Sequence, residues 1–327
     1  MKYLPFELHN HTRHSDGRFL TGELLRSCAA YGYRGAALTD HNVFTAVGEV
    51  TPELLAETGM IVIPGIEWTT FYGHLLVLGC KRYVDWRFVT PDTIDHALME
   101  IREAGGIAGI AHPCEVGAPL MCGCHWDFKV TRWDLVSYVE VWSEENPHKR
   151  TKNALALPWY DALLNAGHRL GVSAGRDWHA ADSDPSNPPL LTATCLGMES
   201  EDTGGAMAAL REGRSLVTLG PVPVFSVKHG DRIYGLGESV PAGEISAAVG
   251  LDSALPNNRA WEVKPECIRL VMNGRTVAEL PCGDGRRKVS LTAASGWLRM
   301  EVWGTYRESQ GERMLALTSP IYVEESP

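Results

Sequence analysis

Two histidines separated by one residue, His9 and His11, lie near the start of the sequence at the end of a short apolar run. In an extended strand, residues i and i+2 point to the same face, so both imidazoles can reach one point. Neutral imidazole nitrogens are common ligands of transition-metal ions. A carboxylate, Asp16, follows five positions after His11. The spacing fits a metal site, but it is equally typical of polar residues at a strand end.

Similar fragments recur along the chain, each beside another apolar run. Nitrogen and oxygen donors of this kind suit zinc, manganese or iron, and the set needs no cysteine. The candidate ligands are His9, His11, Asp16, His41, Glu67, His74, His112, Asp177 and His179. His74 differs from the others that adjoin strands because it precedes its apolar run instead of following it.

The composition is that of an ordinary globular protein. The chain has 327 residues, of which 44% are apolar and 21% charged, with a net charge of −10. Sequence-independent binding of a nucleic-acid polymer needs a basic surface, so we expect no such partner. No apolar run is long enough for a membrane span, and we expect no secretory signal. Eight scattered cysteines indicate reduced thiols, and hence a cytoplasmic protein.

Short apolar runs alternate with helical patterns from residue 5 to about 220, which predicts an α/β fold with a mainly parallel sheet. Seven runs favour a closed or nearly closed barrel, in which chemistry gathers where the strands end. The runs are centred on residues 6–8, 35–39, 60–66, 75–78, 107–111, 138–142 and 169–174. The predicted helices lie near 21–32, 52–57, 90–105, 153–167 and 203–213. Thr21 is the predicted N-cap of the first, and Pro158 a break in the fourth.

The pattern changes after Pro221, where helical periodicity stops and short strand patterns follow. Asn273-Gly274, between two such runs, is a strong hairpin-turn signal. We therefore predict two domains, residues 1–220 and residues 221–327, the second a small all-β sandwich without a cluster of ligand-type residues.

The fragments together resemble the PHP (polymerase and histidinol phosphatase) family of metal-dependent phosphoesterases. The matching pieces occur in the family's order over roughly the first 180 residues. They are His9-Asn10-His11-Thr12, Ser15-Asp16-Gly17, Leu38-Thr39-Asp40-His41, Pro64-Gly65-Ile66-Glu67, His74, Ala111-His112-Pro113 and Asp177-Trp178-His179. The C-terminal segment Ala316–Val323 looks like the branch that includes the bacterial carbaryl hydrolases.

The resemblance implies a distorted seven-stranded, TIM-like barrel with two to three divalent ions. By motif, His9, His11, Glu67 and Asp177 would hold the first ion, and Asp16, His41 and His179 the second. Glu67, as a bridge, would hold the third with His74 and His112. A hydroxide bridging the ions would then attack phosphorus or a carbonyl carbon, and the positive cluster would suit a small anionic or ester substrate.

Three further residues near the motifs are candidates for catalysis. Asp40 could orient a ligand imidazole or cap the turn that follows it. His14 could donate a proton or serve as a hydrogen-bonded structural histidine. Arg176 could clamp a phosphate with two hydrogen bonds or take part in an ion pair.

The segment after His112 carries three cysteines and a histidine whose spacing suggests a zinc site. The set is incomplete for tetrahedral coordination, and glycine and proline fill the loop, so a substrate-covering loop with incidental thiols is favoured. These residues are Cys114, Cys122, Cys124 and His125.

Cleavage of small phosphomonoesters or nucleotide-like phosphodiesters is the leading hypothesis. The alternative is hydrolysis of a carboxylic ester, carbamate, lactone or amide by the same metal centre. Few basic residues lie near the motifs, namely Arg13, Arg18 and Arg176, and this scarcity favours the alternative. A metal-stabilised scaffold, whose β domain binds a partner, is the non-enzymatic hypothesis.

Overall fold

The computed structural model of the chain describes residues 1–116, 124–184 and 187–325, so Cys122 lies outside the described residues. The chain has a mixed α/β half followed by an antiparallel β region. Among the described residues, no helix combines the length and apolar character needed to cross a membrane.

The first seven strands pair in chain order. They are β1 (Lys2–Glu7), β2 (Gly35–Leu38), β3 (Ile61–Thr70), β4 (Gly73–Leu78), β5 (Ile107–Ala111), β6 (Val136–Ser143) and β7 (Gly171–Gly175). The first three strands are parallel to one another, as are the last three. An isolated parallel bridge between Asn10 and Trp178 links the segments that follow β1 and β7. The row of strands therefore returns towards its start at the end that carries the histidines.

Strand β4 runs against both of its neighbours, which departs from a uniform strand–helix alternation. A two-residue turn joins it to β3, too short for a helical crossover, so the pair forms a hairpin. Every residue of β4 and β5 is buried, in keeping with their continuous apolar sequences.

Five α-helices connect or cover these strands. They are α1 (Thr21–Tyr31), α2 (Pro52–Thr58), α3 (Ile94–Glu103), α4 (Thr151–Asn165) and α5 (Thr203–Arg211). Short 3-10 helices span Thr45–Glu49, Trp133–Leu135, Pro147–Lys149 and Pro256–Trp261.

Two predictions about the helices are wrong. The N-cap of α1 is Leu20 rather than Thr21, and the carboxylate of Glu23 accepts the hydrogen bond from the Leu20 amide. Pro158 does not break α4, which continues through it. Both Pro158 and Ala154, whose carbonyl loses its helical partner, are exposed, so water can solvate the freed carbonyl.

The sequence reading missed two strands between β7 and residue 220. They are β8 (Ala193–Met198) and β9 (Ser215–Thr218). Strand β8 pairs with β1, and β9 pairs with β8, both antiparallel. The helical pattern of α5, which lies between them, was predicted.

Strands dominate the remainder of the chain. They are β10 (Pro221–His229), β11 (Arg232–Tyr234), β12 (Ser239–Pro241), β13 (Gly243–Ala254), β14 (Lys264–Met272), β15 (Arg275–Pro281), β16 (Arg287–Ala293), β17 (Gly296–Thr305), β18 (Arg313–Thr318) and β19 (Ile321–Glu324). One four-stranded sheet has the order β11-β10-β13-β16. The hairpin predicted at Asn273-Gly274 is present between β14 and β15, and both turn residues have positive φ.

The antiparallel region is continuous with the first half of the chain through hydrogen bonds. Strand β18 pairs with β9, so the sheet that begins at β7 extends through β1, β8 and β9 into the C-terminal strands. Side chains strengthen this connection, since the Ser319 hydroxyl accepts from the Val172 amide and contacts Ser215 Oγ at 2.8 Å. The predicted boundary at residue 220 therefore lies within a hydrogen-bonded sheet, and two independent domains stay a prediction.

Candidate metal centre

The structure brings all nine predicted ligands together in three overlapping groups. In each group, the potential ligand atoms lie within 4.8 Å of one another. The groups are His9, His11, Glu67 and Asp177; His11, Asp16, His41 and His179; and Glu67, His74 and His112. His11 belongs to two groups, whereas the resemblance implied only the first.

Two backbone hydrogen bonds hold the segments after β1 and β7 in register. The His11 amide donates to the Trp178 carbonyl at 2.9 Å, and the Trp178 amide donates to the His9 carbonyl at 3.1 Å. This bridge brings two ligands from each segment to one place. The ligands from the second segment are Asp177 and His179.

Glu67 lies at the centre of the cluster and belongs to two of its groups. It is fully buried within β3, and a carboxylate there is stable only with charged or hydrogen-bonding partners. Five imidazole nitrogens surround its two oxygens at 2.8–3.4 Å, from His9, His11, His41, His74 and His112. Glu67 therefore offers a carboxylate oxygen to each of two potential metal groups.

The reversed direction of β4 explains the position of His74. Because β4 is antiparallel, its first residues lie beside the end of β3 and the end of β5. His74 pairs with Thr69 and with Ala111, the residue before His112. His74, at the start of its strand, thus reaches the same end of the sheet as residues that follow theirs.

The donor atoms of the cluster fit divalent metal ions. Five of them are buried and make no hydrogen bond with any residue that the structure describes, although buried polar atoms normally have partners. They are His9 Nε2, His11 Nδ1, Glu67 Oε2, His74 Nε2 and His112 Nδ1. Glu67 Oε2 does lie 2.8 Å from His41 Nδ1, but without hydrogen-bond geometry. Ions bound in the cluster would satisfy the atoms of His9, His11 and Glu67. His74 and His112 face Glu67 with their other ring nitrogens, Nδ1 and Nε2.

Imidazoles around the cluster hold its carboxylates in the ionised form that binds metal. Burial opposes ionisation of Glu67, but the neighbouring histidines outweigh it and place the pKa of Glu67 well below its usual value. The same balance lowers the pKa of Asp177. For Asp16, the hydrogen bond with His179 lowers the pKa to about 2.

Glu140 is a site residue that the sequence reading missed. It is buried in β6, where Oε2 lies 3.0 Å from His9 Nδ1 and Oε1 accepts from the His112 amide at 3.3 Å. It therefore orients one ligand ring and fixes the backbone of another. Gly175 makes room for it, since a Cβ at that position would lie 2.9 Å from Glu140 Oε2 and 2.4 Å from His9 Cβ.

Two other residues hold the ligands in place and were also missed. The buried carboxylate Glu7 accepts from the backbone amides of His9 and Arg176 at 2.9 and 3.0 Å. The Thr69 hydroxyl lies 2.5 Å from His41 Nδ1. A carboxylate inside an apolar strand run was the available signal for Glu7 and for Glu140.

Two of the clustered residues have backbone conformations that L-residues rarely adopt. The φ angle of His112 is +24° and that of Asp177 is +51°. Left-handed conformations cost roughly 1–2 kcal/mol for a residue with a Cβ and persist where the surroundings impose them. His112 is the first residue after β5 and Asp177 the second after β7, so the strain lies where the ligands are aimed.

Asp40 holds the segment between His11 and Asp16. Its buried carboxylate accepts from the Thr12 amide and hydroxyl at 2.7 and 2.8 Å, and from the Ser15 hydroxyl at 2.7 Å. These bonds neither orient an imidazole nor cap the following turn, the two roles that the sequence suggested for Asp40. The catalytic role predicted for Asp40 stays a prediction, and its hydrogen bonds give it a positioning role.

His14 and Arg176 are both engaged with acidic or hydroxyl partners. His14 Nδ1 lies 2.7 Å from Thr45 Oγ1, and Nε2 lies 3.0 Å from a carboxylate oxygen of Glu49. The Arg176 guanidinium is buried, stacks on Trp178 and donates to the carboxylates of Glu145 and Asp182 at 2.5 and 2.8 Å. These contacts match the structural interpretation of His14 and the ion-pair interpretation of Arg176.

Lys152 is a buried basic residue near the cluster that the sequence did not reveal, because its partner Glu115 is far away along the chain. It lies in the first turn of α4, between the carboxylates of Glu115 and Glu144. Burial disfavours its charge, but the two carboxylates outweigh burial and raise the pKa of Lys152 above its usual value. The ammonium is therefore charged and neutralised by its own neighbours.

The described cysteines after His112, Cys114 and Cys124, are outside the three groups. Cys114 forms an antiparallel backbone bridge with His125, and Cys124 is buried. Within the described ranges, no cysteine belongs to a potential metal group. The loop interpretation thus stays open for the part of the segment that the structure describes.

Comparison with family models and with curated proteins finds no match. Among solved structures, the chain is similar to a two-domain protein from Bacteroides vulgatus ATCC 8482 that contains a predicted PHP-like metal-dependent phosphoesterase. The alignment covers 96% of this chain and 95% of that one, with 13% identity and a TM-score of 0.53. A second match is an amidohydrolase from Chromobacterium violaceum with bound sulfate and no metal, at 18% identity and a TM-score of 0.38, covering 64% and 96% of the two chains. The first likeness shows a shared fold over nearly the whole chain.

Proposed function

We propose that the protein is a metal-dependent hydrolase of the PHP family that cleaves phosphoesters, either small phosphomonoesters or nucleotide-like phosphodiesters. The observation that carries the proposal is the convergence of nine residues with nitrogen and oxygen ligand atoms, among which the buried His9 Nε2 and Glu67 Oε2 make no hydrogen bond with any described residue. The fold shared with a two-domain protein that contains a predicted PHP-like phosphoesterase is consistent with it.

The three groups would hold two to three divalent ions, and their donor set suits zinc, manganese or iron. Such ions supply Lewis-acid activation of water and of the substrate's oxygen when bound. The chain's own contribution is to keep the ligands ionised and oriented, through Glu140 on His9 and Thr69 on His41. The burial of the ligands also excludes bulk water from the deeper part of the cluster.

The substrate would enter on the side of Asp16, His41 and His179. The side chains of these residues are 58%, 25% and 37% exposed, whereas those of His9 and His11 are fully buried. An oxygen of the substrate can therefore approach the second group from solvent. Divalent ions there would attract an anion despite the chain's negative net charge.

The alternative function, hydrolysis of a carboxylic ester, carbamate, lactone or amide, has one observation in its favour. Arg176 and Lys152 are each paired with two carboxylates, so neither offers an unneutralised charge to a phosphate. A phosphoesterase with this arrangement would depend on its metal ions to balance the negative charge of the phosphate. Hydrolysis of a neutral carbon ester needs less positive charge in the site.

A substrate panel separates the two functions. Metal-stripped protein, reloaded with manganese or zinc, is assayed with p-nitrophenyl phosphate, bis(p-nitrophenyl) phosphate, p-nitrophenyl acetate and a p-nitrophenyl carbamate. We expect metal-dependent release of p-nitrophenol from at least one phosphoester. Activity confined to the acetate or the carbamate would reject the leading function in favour of the alternative.

A matched pair of histidine variants tests whether the activity belongs to the cluster. His112→Ala removes a clustered ligand, whereas His96→Ala removes an exposed histidine of α3 whose only described partner is Glu100. We expect the first to lose activity and the second to retain it. Equal activities would show that the measured turnover does not come from this site.

The finer fold predictions are part of the same proposal. We propose that β1–β7 form a distorted barrel closed at the Asn10–Trp178 bridge, and that the antiparallel region is a sandwich. The carbaryl-hydrolase-like branch and a cytoplasmic location are likewise proposals, supported by the C-terminal sequence and by the scattered cysteines.

A further inference from the structure

A cavity of about 570 Å³ lies beside the metal cluster, between the β3–β4 turn and the segment 86–90. Thr69 lines this cavity, and its hydroxyl contacts the clustered residue His41. Thr69 therefore borders the cavity and contacts the cluster, at the end of the sheet where the ligands converge.

Aromatic side chains supply much of the cavity lining. Phe71 and Tyr72 come from the turn, and Trp86 and Phe88 from the facing segment. Phe71 is 73% exposed and Phe88 is 80% exposed. Single exposed apolar residues are ordinary on protein surfaces, but two phenyl rings that line one cavity form a concentrated apolar surface.

The backbone that presents Phe71 is fixed by hydrogen bonds. The Tyr72 amide donates to the Thr70 hydroxyl, which itself donates to the Gly73 carbonyl. The Tyr72 carbonyl accepts from the Asp127 amide at 2.8 Å. On the facing side, the Val89 amide donates to the Trp86 carbonyl and closes a turn that contains Phe88. Both exposed rings are thus carried by ordered turns, so ligand binding would need no ordering of the backbone there.

We propose that this cavity binds an aromatic group on the alcohol portion of the ester substrate, while the reacting group lies at the metal cluster. The inference rests on the proposed function and extends it to a substrate class. Stacking and edge contacts with an aromatic ring, together with removal of the two phenyl rings from water, would favour such a substrate over an aliphatic one.

The test compares 3-phenylpropyl phosphate with propyl phosphate, whose leaving alcohols have similar basicity. The protein, loaded with manganese, should show a kcat/KM at least about 10-fold higher for the phenyl compound. Phe71→Ala and Phe88→Ala should each reduce this preference several-fold. The matched control is Ile233→Ala, which truncates a side chain on β11 that is 65% exposed and lies outside the cavity, and it should keep the wild-type preference.

Direct binding separates this inference from the proposed function. Calorimetry measures the affinities of 3-phenylpropylphosphonate and propylphosphonate, neither of which needs to be hydrolysed. A preference of about 10-fold for the phenyl compound that is lost in the phenylalanine variants supports the subsite, even if no phosphoester is cleaved. Equal affinities, binding of neither compound, or a preference that survives both variants would overturn it.

Discussion

Replacing Glu140 with glutamine tests how the clustered histidines are held. The wild-type carboxylate has an acceptor oxygen for His9 Nδ1 and another for the His112 amide. Glutamine has almost the same shape but only one acceptor oxygen, with two donor hydrogens in place of the other. The variant therefore changes the hydrogen bonds without opening a cavity.

Neither orientation of the glutamine reproduces both hydrogen bonds. With its oxygen on His9, the amide group faces the His112 N–H, so two donors meet. With its amide group on His9, Nδ1 must accept, and the ring proton moves to Nε2, the nitrogen that faces Glu67 at 3.3 Å. That tautomer cannot bind an ion through Nε2.

We expect Glu140→Gln to bind metal about 10- to 100-fold more weakly than the wild type, the usual effect of losing a partner that orients a ligand. A charge-assisted hydrogen bond worth about 1.5–3 kcal/mol corresponds to a similar range. Competition with a chromogenic chelator at fixed pH measures the affinity, and thermal unfolding without metal shows whether the fold survives.

The control is Glu244→Gln, the same chemical change on β13, where an exposed glutamate accepts a hydrogen bond from Thr292. It should leave metal affinity unaltered. If Glu140→Gln binds metal within about threefold of the wild type while remaining folded, Glu140 does not position the ligands as inferred.

Four further outcomes are expected. Burial lowers the pKa of His179, but Asp16 and Asp177 outweigh burial and raise this pKa from 6.5 to about 9. Protons therefore compete with the metal ion for His179, and metal affinity, measured by chelator competition, should rise between pH 6 and pH 9. The same shift contributes stability to the metal-free fold that is fully present below pH 6.5 and lost as the pH rises through about 9, a trend that thermal melts across this range would show or contradict. A chain ending at residue 220 lacks β18, the partner strand of β9, and exposes the buried apolar residues of β9. This fragment should be insoluble or unfold without cooperativity. A soluble, cooperatively folded fragment would support independent domains. Asp40→Ala leaves the buried Thr12 amide without its acceptor and should lower the free energy of unfolding by about 1–3 kcal/mol in denaturant titrations, whereas an unchanged midpoint would contradict the positioning role.

Sequence patterns predicted much of the first half of the fold. Residue types beside apolar runs were enough to select nine side chains that the structure brings together, because strand ends collect at one edge of a parallel sheet. The residues of a strand do not, however, determine whether it runs parallel or antiparallel to its neighbours. The reversal of β4, which places His74 in the cluster, follows from pairing with β3 and β5.

Other features depended on contacts between distant residues. The short strands β8 and β9 have little pattern of their own and are stabilised by pairing with β1 and β18. Glu140 and Lys152 acquire their roles from neighbours that are far away in sequence. Helix α4 continues through Pro158 because the carbonyl left without a partner, that of Ala154, belongs to an exposed residue. Which residues of α4 are exposed depends on the side of the helix that packs inward.

The left-handed backbone of His112 and Asp177 has a consequence for efforts to make this protein more robust. Glycine adopts positive φ without the penalty of a Cβ, so it would relieve local strain at either position. A search that scored only resistance to heat or denaturant would thus tend to select glycine there and discard two of the clustered side chains. At these two positions, the residue that would most stabilise the fold differs from the residue that could bind a metal ion.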